Sequence, residues 1–221
     1  RMGIPRDLYG EVLSSGEATR DALIAKDDPF FARLGRKVYH LGPARDRNVF
    51  DDTGLDVVAD VNAADFILNT GPEDLTQKVA DFQHVLDAAI PRKLPMVCAN
   101  PDLVVLRAGN EVVCAGAIAV KYAEMGGSVA YRGKPDPAIY RAAAAKLGVA
   151  DLSKVVVVGD ALETDVKGAN AAGLNSIWCT GGIHAAALGS AYGVAAEPVR
   201  AAALAHKMGH VPTATIPGFI W

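Results

Sequence analysis

Short apolar segments bounded by Gly, Asp or Asn recur along the first half of the chain. Such segments are typical of strands, and the pattern predicts them at 37–42, 56–60, 66–71 and 96–99. Apolar positions spaced by three and four predict an amphipathic helix over 74–89, which Pro91 ends. A hairpin is predicted from 104–106 to 112–114, turning through Gly109 and Asn110.

The second half of the chain alternates strand and helix patterns more clearly. Strands are predicted at 155–158 and 175–179, helices at 137–147, 163–172 and 195–208, and an irregular tail at 211–221. A regular alternation of this kind is typical of parallel strands joined by crossover helices. The fold class predicted from the pattern is therefore α/β.

Composition narrows the possible partners. The 221 residues are 51% hydrophobic and 21% charged, with a formal net charge of −3 and no dense run of Lys and Arg. A protein that binds nucleic acid through its phosphates needs such a run, so we expect a small-molecule partner instead. No apolar stretch reaches the length of a membrane helix, and three well-separated cysteines suggest no disulfide framework. We therefore expect a cytoplasmic protein that binds neither nucleic acid nor membranes.

The segment that begins with four valines, 155–158, carries the strongest chemical signal. Gly159 and Asp160 follow these valines, and Asp165 comes shortly afterwards. Ligands of open parallel sheets bind at the carboxyl ends of strands, and a hard cation such as Mg²⁺ prefers oxygen ligands. Asp160 is therefore a candidate metal ligand. Alternatively, Asp160 caps the following turn and Asp165 lies in the first helical turn, where acidic residues are favoured.

A second signal lies between a predicted strand and a predicted helix. Lys134 follows Gly133 and precedes Pro135 and Asp136, in a turn that can hold the ammonium group towards a phosphate. Taken alone, a lysine in a polar loop is usually only solvated. The two segments in this order favour a common site, and we expect Lys134 and Asp160 to converge at one edge of the sheet.

The two segments together resemble the haloacid dehalogenase superfamily. Gly133-Lys134-Pro135 is similar to its lysine motif, and Gly159-Asp160 through Asp165 is similar to its acidic motif, in the form found in NagD-like phosphatases of subclass IIA. The resemblance implies a Rossmann-like core, a parallel sheet with helices on both faces, interrupted by an inserted α/β cap of the C2 type. The implied boundaries are 35–127 for the cap and 1–34 with 128–221 for the core.

The resemblance also implies a function for particular residues. Lys134 would bind the phosphoryl group and neutralise its charge, Asp160 would ligate Mg²⁺, and Asp165 would orient these groups. Asn100 and Asp102 fall in the implied cap and would face the substrate, a small phosphorylated metabolite. A homodimer formed through the caps is also implied.

The family's nucleophile is an aspartate of an Asp-x-Asp motif on the first core strand, and the sequence departs from the family here. That strand belongs upstream of the Ser15–Thr19 segment, where only 14 residues are present, none of which form it. We therefore expect a magnesium-dependent phosphatase that lacks its first strands and is inactive as given. Two alternatives stay open: a non-catalytic module that binds phosphate ligands or acts as a scaffold, and a Rossmann-like domain with another nucleotide function.

Overall fold

The structure is a computed structural model that describes residues 5–26, 28–107 and 110–219. Contacts divide the chain into two compact units: a first unit of residues 13–133, and a second unit formed by the described parts of 1–12 and 134–221. The helices are α1 (Ser15–Ala25), α2 (Pro29–Ala32), α3 (Gln83–Ala89), α4 (Ala115–Glu124), α5 (Pro137–Lys146), α6 (Lys167–Ala172), α7 (Ala185–Leu188) and α8 (Pro198–Met208). The strands are β1 (Lys37–Leu41), β2 (Asp56–Val57), β3 (Phe66–Asn69), β4 (Met96–Cys98), β5 (Val104–Arg107), β6 (Asn110–Val113), β7 (Val129–Tyr131), β8 (Val156–Gly159), β9 (Asn175–Cys179) and β10 (Ala214–Ile216).

The first unit is built on a parallel five-stranded sheet in the order β2-β1-β3-β4-β7. Every residue of the central strands β3 and β4 is buried. Continuously apolar strands of this kind are typical of parallel sheets covered on both faces. Two hydrophobic clusters provide the cover, one centred on Ile67, Met96 and Tyr122 and the other on Phe31 and Phe66.

A two-stranded antiparallel hairpin, β5–β6, precedes α4 in the first unit. Its pairing runs from Val104 opposite Val113 to Arg107 opposite Asn110, so the predicted hairpin is confirmed. The predicted turn residue Gly109 lies outside the described residues, and Asn110 begins β6.

The second unit is built on a parallel three-stranded sheet in the order β10-β9-β8. Trp178 on β9 is fully buried in a cluster with residues of the acidic segment and of α7 and α8. Val156 and Val158 of the edge strand β8 project from the same face, since side chains alternate along a strand, and they are 49% and 39% exposed. Among the described residues, no strand pairs with the outer edge of β8.

The predicted α/β class and its parallel strands are confirmed, but three elements differ from prediction. Residues 74–78 are not helical: a single turn, closed by the N–H of Gln77 on the Asp74 carbonyl oxygen, is followed by Lys78 in an extended conformation. Helical structure begins only with a 3₁₀ turn at Val79–Phe82, followed by α3. The tail predicted to be irregular contains β10, which extends the second sheet beside β9.

The third difference affects the acidic segment itself. The helix predicted over 163–172 begins as a π-helical turn, Leu162–Val166, and becomes α-helical only at Lys167. Short π-helical turns occur frequently at functional sites. Within the described residues, no helix is long and apolar enough to cross a membrane.

Candidate functional site

Lys134 and Asp165 form an ion pair in the second unit. The Lys134 Nζ donates to Asp165 Oδ1 at 2.6 Å, and the other carboxylate oxygen accepts the backbone N–H of Ala161 at 3.1 Å. The Asp165 side chain is 7% exposed, whereas that of Lys134 is 49% exposed. The buried carboxylate therefore holds one side of an ammonium group whose other side is open to a ligand.

Gly159 makes the position of Asp165 possible. A Cβ atom added at Gly159 would lie 2.2 Å from the Asp165 Cγ, a distance that no side chain could accommodate. The strand therefore ends in a glycine over which the carboxylate packs closely. The four-valine strand and the carboxylate of the π-helical turn are thus joined by a contact that requires glycine.

Asp160 is the residue that β8 delivers to its carboxyl end, and a loop after β9 holds it. Its Oδ2 accepts the backbone N–H of Ile183 at 3.1 Å, and its carbonyl oxygen accepts the indole N–H of Trp178 at 3.0 Å. Oδ1 accepts no hydrogen bond from any described residue. One carboxylate oxygen of Asp160 is therefore available to a ligand.

The donors present fit part of a magnesium shell. Mg²⁺ is usually bound through one or two carboxylates, with waters and substrate phosphate completing the octahedron. The described residues contain no group of three or more His, Cys, Asp and Glu side chains that could hold a metal ion. Asp160 would therefore supply one ligand, and the rest of the shell would come from water, from phosphate or from another polypeptide segment.

A cavity of about 520 Å³ opens beside Asp160. It is lined by Val158, Gly159, Asp160, Cys179, Gly182, Tyr192 and Phe219. Its walls are mostly apolar, and Asp160 supplies the carboxylate in them. The cavity lies at the carboxyl end of β8, where the sequence predicted a ligand site.

Two supporting side chains were missed in the sequence analysis. The Tyr140 hydroxyl on α5 donates to the carbonyl oxygens of Thr164 and Asp165, both at 3.2 Å, and burial raises its pKa, so that it stays protonated. The His184 Nε2 accepts the backbone N–H of Leu162 at 3.2 Å. No ligand spacing surrounds His184 in the sequence, so nothing there identifies it as a residue of the site.

The predicted substrate residues Asn100 and Asp102 lie in the first unit, after β4. The Asn100 side chain accepts the backbone N–H of Asp102 at 3.3 Å, and the Asp102 carbonyl oxygen accepts the N–H of Gly116 at 3.1 Å. These contacts shape a turn against the start of α4. Substrate binding by this pair stays a prediction.

Similarity to known proteins extends over the whole chain. A HAD-hydrolase-like family model matches residues 131–207. A solved structure of a haloacid dehalogenase-like hydrolase from Brucella suis 1330 is 30% identical, with a TM-score of 0.77 over 99% of this chain and 76% of that chain. The chain belongs to the haloacid dehalogenase-like family.

Other members of this family are also similar. A putative NagD protein is 27% identical, with a TM-score of 0.59 over 80% of this chain and 66% of that chain. The magnesium complex of a Mycobacterium tuberculosis glycerol phosphate phosphatase is 25% identical, with a TM-score of 0.57 over 76% of this chain and 48% of that chain. The predicted resemblance to NagD-like hydrolases is confirmed.

A curated relative matches a shorter part of this haloacid dehalogenase-like chain. The D-glycerol 3-phosphate phosphatase of Mycobacterium tuberculosis is 46% identical over 69 residues, which is 31% of this chain. The match spans only 17% of that relative's own length. Family membership therefore rests on the Brucella structure, most of whose length is matched.

Proposed function

We propose that the native protein is a magnesium-dependent phosphatase that acts on a small phosphorylated metabolite. The observation that carries this proposal is the Lys134–Asp165 ion pair of 2.6 Å, whose carboxylate packs on Gly159 and accepts the N–H of Ala161, the residues on either side of Asp160. A fixed cation beside a carboxylate that can bind metal suits the negative charge of a phosphoryl group. Phosphatases among the similar proteins support the same reaction class.

Each residue of the site has a separate proposed role. Lys134 binds the phosphoryl oxygens and neutralises the charge that develops on them, and Asp165 holds its ammonium group in place. Asp160 binds Mg²⁺, which, when bound, would withdraw charge from the phosphoryl oxygens. Tyr140 keeps the backbone around Asp165 in position through its two hydrogen bonds.

The nucleophile is the part of the reaction that this chain does not supply. The 221 residues contain no Asp-x-Asp sequence. No described strand pairs with the outer edge of β8, so this edge would accept an additional parallel strand, whose end would place a carboxylate near Asp160. We infer that the chain as given is inactive, and that activity requires such a strand from a longer polypeptide.

Residues 35–127 form the proposed inserted cap of the C2 type, and residues 1–34 with 128–221 form the proposed core. Asn100 and Asp102 would contact the substrate from the cap, through the carbonyl and carboxylate oxygens of their turn. Caps would also mediate a homodimer. We place the reaction in the cytoplasm, as the three separated cysteines suggest.

The proposal is tested by comparing the 221-residue chain with the protein encoded by its complete natural reading frame. Phosphate release from nitrophenyl phosphate and glycerol 3-phosphate is measured with MgCl₂ and with EDTA. We expect no release from the shorter chain and magnesium-dependent release from a longer protein that contains an Asp-x-Asp strand. In that protein Lys134→Ala should lower kcat/KM by about a hundredfold or more.

Lys207→Ala on α8 is the matched control and should leave the rate unchanged. Activity of the 221-residue chain would contradict the inferred dependence on an additional strand. A longer protein with the strand but without magnesium-dependent release would contradict the proposed reaction. If the natural protein has no such strand and binds inorganic phosphate without turnover, the non-catalytic binding module would be the better description.

A further inference from the structure

The loop Gly181–His184 follows β9 and contacts the acidic segment directly. A Cβ atom added at Gly182 would lie 2.3 Å from both the Cβ and the Oδ2 of Asp160. The next residue, Ile183, donates its backbone N–H to that same Oδ2 at 3.1 Å. Glycine at 182 therefore lets the loop approach closely enough to fix one oxygen of Asp160 and leave the other available.

His184 makes the second contact, at the start of the π-helical turn. Its Nε2 accepts the N–H of Leu162 at 3.2 Å. First-turn N–H groups of a helix have no partner within the helix, and Ala161, which precedes this turn, has no side chain that could accept one. His184, which lies 22 positions further along the chain, therefore satisfies a donor that the turn cannot satisfy itself.

The ring of His184 is itself held in place. It lies edge-on to the fully buried Trp178, with ring centroids 5.7 Å apart and planes at 74°. The indole N–H of Trp178 donates to the carbonyl oxygen of Asp160. Burial lowers the pKa of His184, consistent with a neutral ring whose Nε2 carries a lone pair.

We propose that His184 is a positioning residue for the acidic segment: by accepting the Leu162 N–H, it fixes the start of the π-helical turn that follows Asp160 and contains Asp165. Asp160 lies two residues before this turn and Asp165 lies within it, so both carboxylates depend on its conformation. The metal-related part of this inference rests on the proposed function. The structural part, an ordered turn held from the 181–184 loop, does not.

Two variants separate hydrogen bonding from packing. His184→Phe keeps an aromatic ring against Trp178 but has no acceptor. His184→Gln loses the ring but offers its Oε1 as an acceptor. We expect exchange of the Leu162 amide, followed by NMR, to be about fivefold faster or more in the Phe variant, since a hydrogen bond contributes about 1 kcal/mol. The Gln variant should stay within about twofold of the unmodified chain.

Amides of α8 and of β4 serve as internal controls and should exchange at the same rate in all three proteins. The result that overturns the inference is equal Leu162 exchange in the Phe and Gln variants. If the Phe variant fails to fold, His184→Leu is compared with Gln in the same measurement. Faster exchange of the Leu162 amide in His184→Leu than in His184→Gln would then support the inference, and equal exchange would overturn it.

A titration with MgCl₂ tests the link to the site. The shift of the Asp160 amide should require about fivefold more magnesium in the Phe variant than in the Gln variant, by the same hydrogen-bond free energy. Equal magnesium dependence would overturn the positioning role for the metal ligand. If the longer, active protein shows no magnesium-dependent shift but retains the exchange difference, the proposed metal role fails while His184 still positions the turn.

Discussion

Tyr140 shows how a single hydroxyl group supports the candidate site. It donates to two consecutive carbonyl oxygens of the π-helical turn and packs against Gly168, where an added Cβ would lie 2.4 Å from the hydroxyl oxygen. Replacing it with Phe removes this donor from both carbonyls, although that of Thr164 still accepts the backbone N–H of Lys167. Tyr140→Phe should therefore lower the free energy of unfolding by about 1–2 kcal/mol.

The measurement is urea unfolding followed by the fluorescence of the buried Trp178, in a Trp221→Phe background. Tyr192→Phe is the matched control, because its hydroxyl also donates to a carbonyl, that of Phe219, but from an exposed position. We expect Tyr192→Phe to lower the free energy of unfolding by less than about 0.5 kcal/mol. If both variants lose the same free energy of unfolding, burial of the Tyr140 hydroxyl does not add to the stability that its hydrogen bonds provide.

His40 introduces a pH dependence into the first unit. Its Nε2 lies 2.9 Å from the Thr70 hydroxyl, its ring packs against Phe50, and burial lowers its pKa below the ordinary value. In the unfolded chain the pKa is about 6.5, so the unfolded state binds the proton first as pH falls. His40 therefore contributes stability above about pH 6.5, and this contribution is lost as pH falls through the folded pKa.

Urea midpoints measured between about pH 7.5 and 5.5 test this expectation. His40→Gln should make the midpoint of the first unit less sensitive to pH than in the unmodified chain. His84→Gln, at an exposed histidine of the same unit, should keep the original sensitivity. If the urea midpoint of His40→Gln depends more steeply on pH than that of the unmodified chain, folding does not lower the pKa of His40.

At the scale of elements, the sequence predicts strands better than it predicts the start of helices. The strands β3 and β4 were predicted correctly, because a buried strand needs little more than a short apolar run between turn residues. The valines of β8 also predict a strand, although none of its residues is buried. The start of α3 depends instead on the backbone conformation of a single residue. Lys78 is extended and separates the turn at Asp74 from the helical segment, and apolar periodicity cannot predict this interruption.

β10 and the π-helical turn were missed for a different reason. The pattern of Ala214–Ile216 is too short to identify a strand, and only pairing with β9 makes it one. The π-helical turn depends on His184 and Tyr140, both distant in sequence. Motif spacing thus selects Lys134, Asp160 and Asp165 as candidates, but it cannot predict the residues that hold them, because those contacts follow no local period.

At the scale of the whole molecule, the two units differ in how completely their sheets are covered. The first has central strands that are buried at every residue and flanked on both sides. The second has the four-residue edge strand β8 with two exposed valines, whereas the exposed edge strand β2 of the first has only two residues. An apolar strand at an uncovered sheet edge has unpaired backbone groups that can pair with another strand. The second unit is therefore the one whose stability should respond to an added strand.

Native-state hydrogen exchange of the 221-residue chain tests this difference. The slowest amides of β3 and β4 should exchange at least about a hundredfold more slowly than the slowest amides of β8, because opening is easiest where few buried contacts are lost. β9 is the internal control: it is flanked by β8 and β10, so it separates the effect of an edge from the stability of the unit. Protection of β8 equal to that of β3 would show that its open edge does not weaken it. Slow exchange in β9 together with fast exchange in β8 would show that only the edge strand beside Asp160 opens easily. The proposed reaction requires one more strand at this edge.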